Sequence, residues 1–172
     1  MLLRIRAARG REVKRDPSWK LGLLLQSASI AAVFTIRRPL FTPFALLGAP
    51  CEIAVAVLAA ALAITSAWML LAALRTLGLH WTWPARLVEG HRLVTQGPYR
   101  LVRHPIYTAL FGLSLATALV NSRWTALGPF VVAFSIGTAI RVRGEDRLLR
   151  EAFGTEFEAY ARRVPALLPR LR

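Results

Sequence analysis

Leu93–Tyr107 reads LVTQGPYRLVRHPIY, and this stretch decides how the rest of the chain is understood. It carries two tyrosines, a histidine and two arginines, and it runs straight into the apolar segment Ile106–Val120. Gly97-Pro98-Tyr99 reads as a turn that returns a loop to the membrane surface. Arg103-His104-Pro105 reads as a helix start, because proline is tolerated in the first helical turn, where its missing N–H costs nothing. Such a start presents free backbone N–H groups and the positive end of a helix dipole. A second polar stretch, Arg141–Pro169 (RVRGEDRLLREAFGTEFEAYARRVPALLP), follows the next apolar segment. Ionisable groups at the mouth of an apolar hairpin read as a functional site, since a plain membrane spacer has no use for them.

Working outward, four stretches approach the roughly 20 apolar residues a membrane helix needs: Trp19–Ile36, Ile53–Leu74, Ile106–Val120 and Trp124–Ile140. The last two are separated by Asn121, Ser122 and Arg123, so they are expected to form an antiparallel hairpin. The Pro39–Pro50 connection is apolar but holds three prolines, and reads as an interfacial or re-entrant segment. Leu148, Leu149, Ala152, Phe153, Tyr160 and Val164 continue an apolar stripe beyond the last span, which predicts an amphipathic helix along the membrane surface. The expected fold is therefore all-α and membrane-embedded. It comprises about four transmembrane helices and a C-terminal interfacial helix in a single unit over residues 1–172. That unit divides into a basic arm at 1–18, N-terminal spans at 19–74 and a core at 91–169.

Composition agrees. The chain of 172 residues is 55% hydrophobic yet carries a formal net charge of +14. A nucleic-acid binder would also be basic, but its apolar residues would not fall in long uncharged runs, so no nucleic-acid partner is expected. Of 23 lysines and arginines, 20 fall before or at the leading edge of the first span, between the second and third, or after the fourth. By the positive-inside rule both termini and the central loop face the cytosol. The N-terminal arginines suit anionic lipid headgroups as well as an orientation signal. Twenty-one arginines against two lysines fit a GC-rich bacterial genome, hence the bacterial inner membrane. Cys51 is the single cysteine, which excludes an internal disulfide and cysteine-built zinc clusters.

Several chemistries are excluded by what is missing. There is no GxxxxGK[ST] and no GxGxxG after a strand, no Ser/His/Asp set, and no HExxH or other metal-ligand spacing. Individually the remaining groups have ordinary readings: Arg141 and Glu145 as an i,i+4 pair, His104 as a capping residue, Tyr107 as an interfacial anchor. Together they suit a reaction that needs few catalytic groups. Methyl transfer from a sulfonium cofactor is of this kind, because the cofactor brings its own leaving group and the protein mainly aligns donor and acceptor.

The order of motifs resembles the isoprenylcysteine carboxyl methyltransferase family, within a wider group of small membrane methyltransferases that includes phospholipid methyltransferases. The resemblance runs from His91 to Pro169. It rests on His91, Leu93-Val94-Thr95, Gly97-Pro98-Tyr99, Arg103-His104-Pro105, Tyr107, Arg141, Glu145-Asp146, Phe153-Gly154, Glu156-Phe157, Tyr160 and Val164-Pro165. It implies S-adenosylmethionine as cofactor. His91, Leu93, Val94, Tyr99, His104, Pro105, Tyr107 and Glu145 would line the cofactor site, and Arg141 would face the methyl acceptor. Arg141, Glu145 and His104 would then be the catalytic residues, with no metal. The acceptor would be a lipid-borne carboxylate or thiol, or a phospholipid amine, reached from the bilayer. Ala109 stands where the family usually has glycine, and Asp146 where a second glutamate is usual. Two other classes share parts of this pattern: an NADPH-dependent membrane lipid or sterol reductase, and a non-enzymatic scaffold whose basic loops bind anionic lipid.

Overall fold

The computed structural model describes residues 12–14, 18–39, 49–78, 87–88 and 93–169. The apolar runs form helices: α1 (Trp19–Thr35), α2 (Ala49–Leu77), α3 (Pro105–Asn121) and α4 (Leu127–Phe153), followed by the short α5 (Thr155–Arg163). Single 3-10 turns at Gly97–Arg100 and Trp124–Ala126 precede α3 and α4. Among the described residues a small antiparallel pair, β1 (Glu12–Lys14) with β2 (Leu87–Val88), ties the N-terminal arm to the central loop. The Pro39–Pro50 connection lies mostly outside the described residues, as do His91, the arm before Glu12 and most of the loop between α2 and Leu93.

Two helical stretches, Pro50–Leu77 and Trp124–Phe153, are long and apolar enough to cross a membrane, and α1 and α3 are shorter apolar helices. Their outer faces are greasy. Leu21, Leu24 and Phe34 on α1, Ile53, Val57, Ile64 and Trp68 on α2, and Val132 and Ile136 on α4 are all exposed. Apolar surface of this extent on several helices is what a lipid-facing perimeter requires and what a water-soluble monomer avoids. A smaller core sits inside, where Val33, Ala118, Phe130 and Phe134 pack with Ile30, Phe111 and Leu115.

The closest backbone approaches lie outside the expected α3–α4 hairpin. α2 lies along α3 and α1 along α4, while α3 and α4 touch each other more lightly. Small residues explain the choice, since they let backbones approach closely. A Cβ on Gly112 of α3 would sit 2.1 Å from Ser66 Oγ of α2, and a Cβ on Gly22 of α1 would sit 2.8 Å from Gly137 O of α4. At the end remote from the polar motifs, Arg38 N donates to Asn121 O (3.1 Å) and Arg123 N to Ile36 O (3.2 Å), which closes the α3–α4 turn against the end of α1.

The C-terminal half divides the expected amphipathic stretch between the end of α4 and the short α5. α4 does not stop near Ile140 but continues to Phe153, where Gly154 at φ +50° ends it and starts α5. Glycine accepts that backbone conformation without the steric cost other residues meet. Of the apolar stripe, Leu148 and Tyr160 are buried against the protein, as is Phe157, whereas Leu149, Phe153 and Val164 are half-buried and Ala152 is exposed. Glu156 and Glu158 in the first turn of α5 and Arg162 and Arg163 in the last both complement its dipole.

Candidate functional site

The site is built where the start of α3 meets the polar half of α4. Gly97, at φ +57°, opens the 3-10 turn and lies against α2, where an added Cβ would sit 2.8 Å from Thr76 Oγ1. The turn leaves Pro98 and Tyr99 buried. Tyr160 of α5 donates its hydroxyl to Tyr99 O at 2.7 Å, so the loop is held from both sides. Burial pushes the Tyr160 phenol up to about 12, which keeps it a donor. His104 is the N-cap and Pro105 the first residue of α3, as expected of a proline helix start.

The backbone N–H groups just before this start are not left for a ligand. Arg103 N donates to Pro165 O (2.8 Å) and His104 N to Ala166 O (3.0 Å). Thr108 Oγ1 donates to Leu167 O (2.7 Å). The Val164–Leu167 segment is thus a strap across the helix start. Arg103 fastens it, with Nη1 donating to Ala161 O (3.1 Å) and Val164 O (2.6 Å) and Nη2 to Asp146 Oδ2 (2.8 Å).

His104 is flanked by two carboxylates. Its Nε2 lies 2.8 Å from Asp146 Oδ1 and its Nδ1 lies 3.3 Å from Glu145 Oε2. With a carboxylate oxygen at each ring nitrogen both can donate, an arrangement that favours the imidazolium. Burial opposes the charge, but hydrogen bonds and attraction from Asp146 and Glu145 outweigh it and raise the pKa to about 9. An imidazolium so held has no lone pair for an incoming proton, which makes it a group that orients carboxylates. Tyr107, one turn into α3, donates its hydroxyl to Glu145 Oε1. Glu145 is therefore fixed by two residues of the RHPxY motif, with 22% of its side chain open to solvent.

Arg141, one turn before Glu145 on α4, is 4% exposed. Its guanidinium stands 4.8 Å from the centre of the Tyr107 ring, a cation–π contact, and Nη1 donates to Gln26 Oε1 at 3.0 Å. The structure thus brings together His104, Pro105, Tyr107, Arg141 and Glu145. Tyr99 is buried in the neighbouring turn, and Leu93 and Val94 are half-buried in the segment leading to it. Ala109 is accommodated as a buried residue of α3. Sequence reasoning gave no role to Arg103 as the strap's anchor or to Gln26 and Thr138. The available signals were an arginine beside the histidine and a glutamine inside an apolar span.

The family model that matches residues 55–151 is that of the isoprenylcysteine carboxyl methyltransferases. The chain belongs to the isoprenylcysteine carboxyl methyltransferase family. The match takes in α2, α3, nearly all of α4 and every site residue just described except Gln26 and the strap with its contacts on α5. Among curated proteins, the chain is 40% identical over 93 residues to a cobalt-zinc-cadmium resistance protein of Cupriavidus metallidurans, covering 52% of this chain and 42% of that protein. It is 37% identical over 92 residues to a nickel-cobalt-cadmium resistance protein of Alcaligenes xylosoxydans xylosoxydans, covering 52% and 43%. It is 33% identical over 84 residues to protein-S-isoprenylcysteine O-methyltransferase B of Arabidopsis thaliana, covering 49% and 43%. The matched stretch thus spans less than half the length of each of these relatives.

Proposed function

We propose that this membrane protein transfers a methyl group from S-adenosylmethionine to an anionic, lipophilic acceptor at the cytosolic face of the membrane. The observation that carries the reading is Glu145, held by Tyr107 and His104, one turn from the buried Arg141. Membership of the family supports the cofactor class, and the name of the Arabidopsis relative, an isoprenylcysteine O-methyltransferase, supports a prenylcysteine carboxylate as acceptor type.

The residues present fit the cofactor. A partly open carboxylate, fixed in orientation, suits its ammonium or ribose hydroxyls, and the rings of Tyr99 and Tyr107 suit its adenine and sulfonium. Leu93, Val94, Tyr99, His104, Pro105, Tyr107 and Glu145 would hold it, with His91 added by the resemblance alone. When bound, S-adenosylmethionine supplies an electrophilic methyl group together with its own leaving group. The chain's residues then align and neutralise. His104 holds Glu145 and Asp146 in place. Arg141 meets the acceptor's carboxylate in a site screened from water, where a charge-assisted hydrogen bond is worth most. Arg103, His104 and Arg141 against Glu145 and Asp146 leave one positive charge in surplus, which favours an anionic acceptor. A carboxylate oxygen needs no base before it attacks. A thiol or amine would need one, and Glu145 rather than His104 is the group able to accept a proton.

In this reading α1 to α4 are four spans with both termini and the central loop in the cytosol, as the distribution of arginines requires, and the membrane is the bacterial inner membrane. The test is transfer of labelled methyl to N-acetyl-S-farnesylcysteine by purified protein in detergent. Arg141→Met should keep cofactor affinity and lose about a hundredfold in transfer, the scale of one lost electrostatic donor. Glu145→Gln should weaken cofactor binding itself. Equal activity in all three proteins would refute the assignment.

A further inference from the structure

Gln26 lies seven residues into α1, about 10 Å along its axis at 1.5 Å per residue. A glutamine at that depth costs free energy unless both ends of its amide are satisfied. They are. Nε2 donates to Thr138 Oγ1 at 2.8 Å and Oε1 accepts from Arg141 Nη1 at 3.0 Å, and all three side chains are about 4% exposed. Arginine only donates, so Oε1 must face it and the amide has one orientation. Gly22 and Gly137 bring α1 and α4 close enough for this contact, since an added Cβ on Gly22 would lie 2.5 Å from Arg141 Cγ. Two sides of the guanidinium are thus defined, the Tyr107 ring on one and the Gln26 amide on another.

We propose that Gln26 is the positioning residue through which α1 selects an anionic acceptor: its neutral amide holds Arg141 in place without neutralising it. The inference rests on the methyl-transfer reading above and extends it to a helix outside the family match. A carboxylate at position 26 would hold the guanidinium equally well but cancel its charge. An apolar side chain would leave the charge and lose this hydrogen bond. Only an uncharged acceptor of hydrogen bonds does both.

The experiment uses the full chain in detergent, with N-acetyl-S-farnesylcysteine as the acceptor probe and S-adenosylhomocysteine binding as the independent readout. Gln26→Met is expected to keep S-adenosylhomocysteine affinity within about twofold while the acceptor KM rises at least about tenfold, the worth of one hydrogen bond to a charged group. Gln26→Glu should raise that KM further still. A merely structural glutamine predicts the reverse order, because the ion pair formed by Gln26→Glu would restore the contact. Should Gln26→Met fail to fold, Thr138→Val frees the amide with less disturbance and should raise KM several-fold. An unmoved KM in the folded variants, or a Gln26→Glu protein as good as the unsubstituted one, overturns the proposal alone. Failure of the unsubstituted chain to bind S-adenosylhomocysteine overturns the methyl-transfer reading, and this inference with it. Binding without methylation of the probe overturns the anionic-acceptor premise.

Discussion

Replacing Arg103 by methionine should unfasten the strap that closes the site. The guanidinium makes three hydrogen bonds, to Asp146 Oδ2, Ala161 O and Val164 O. The side chains of Arg103 and Asp146 are only 13% and 14% exposed, so the small value of a surface ion pair does not apply. Breaking a buried pair costs about 3–5 kcal/mol, because the remaining charge is left in a poor environment. Asp146 keeps its hydrogen bond to His104, which places the loss near the lower figure, about 3 kcal/mol. For a chain of this length that corresponds to a fall in Tm of roughly 6–12 °C. Arg103→Lys keeps the charge but not the planar fork, and should lose about half as much. Thermal unfolding in detergent gives the global cost. Hydrogen exchange at the His104 amide, which donates to Ala166 O, reports whether the strap opens locally. A Tm for Arg103→Met within about 2 °C of the unsubstituted protein, with the His104 amide still protected, would refute the reasoning.

His104 makes stability depend on pH in a defined direction. Its pKa, raised to about 9 by Asp146 and Glu145 against the opposing effect of burial, lies above the ordinary value of 6.5. Its contribution is therefore complete below about pH 6.5 and is lost as pH rises through about 9. Unfolding temperatures measured from pH 6 to 10 should fall across that interval, and His104→Gln should flatten the fall; equal slopes would count against the imidazolium. At the α1–α4 crossing, Gly22→Ala should destabilise by about 1–3 kcal/mol, since its Cβ meets Arg141 Cγ at 2.5 Å. Gly128→Ala, whose Cβ meets nothing within 4 Å, is the control and should be neutral or stabilising in the same unfolding assay.

The parts of this molecule legible in its sequence are those set by short-range pattern. Uninterrupted apolar runs placed α1 to α3 and the start of α4 within a few residues, and Pro105 marked the start of α3. Fixed spacing brought His104 and Tyr107 to the same helix start, and the family resemblance brought Arg141 and Glu145 to it. What the pattern did not carry was partnership between distant segments. Nothing local says that α4 runs past Ile140, because the charges of RVRGEDR look like the end of a span although Asp146 is satisfied by Arg103 and His104. The same holds for the stripe that includes Leu148 and Tyr160, which reads equally well as facing lipid or protein. Just before the helix start, the carbonyls of Pro165 and Ala166 take the N–H groups of Arg103 and His104, a partnership with a segment far along the chain that no local pattern shows. Gln26 was visible as a misfit in its span, but its partner on α4 was not.

The measurement that bears most directly on the account is calorimetric titration of the detergent-purified chain with S-adenosylmethionine and S-adenosylhomocysteine, with NADPH titrated in parallel. The account predicts micromolar binding of both sulfur compounds, weakened by Glu145→Gln, and no heat from NADPH. Binding of NADPH alone, or no binding of any of the three by folded protein, would contradict it.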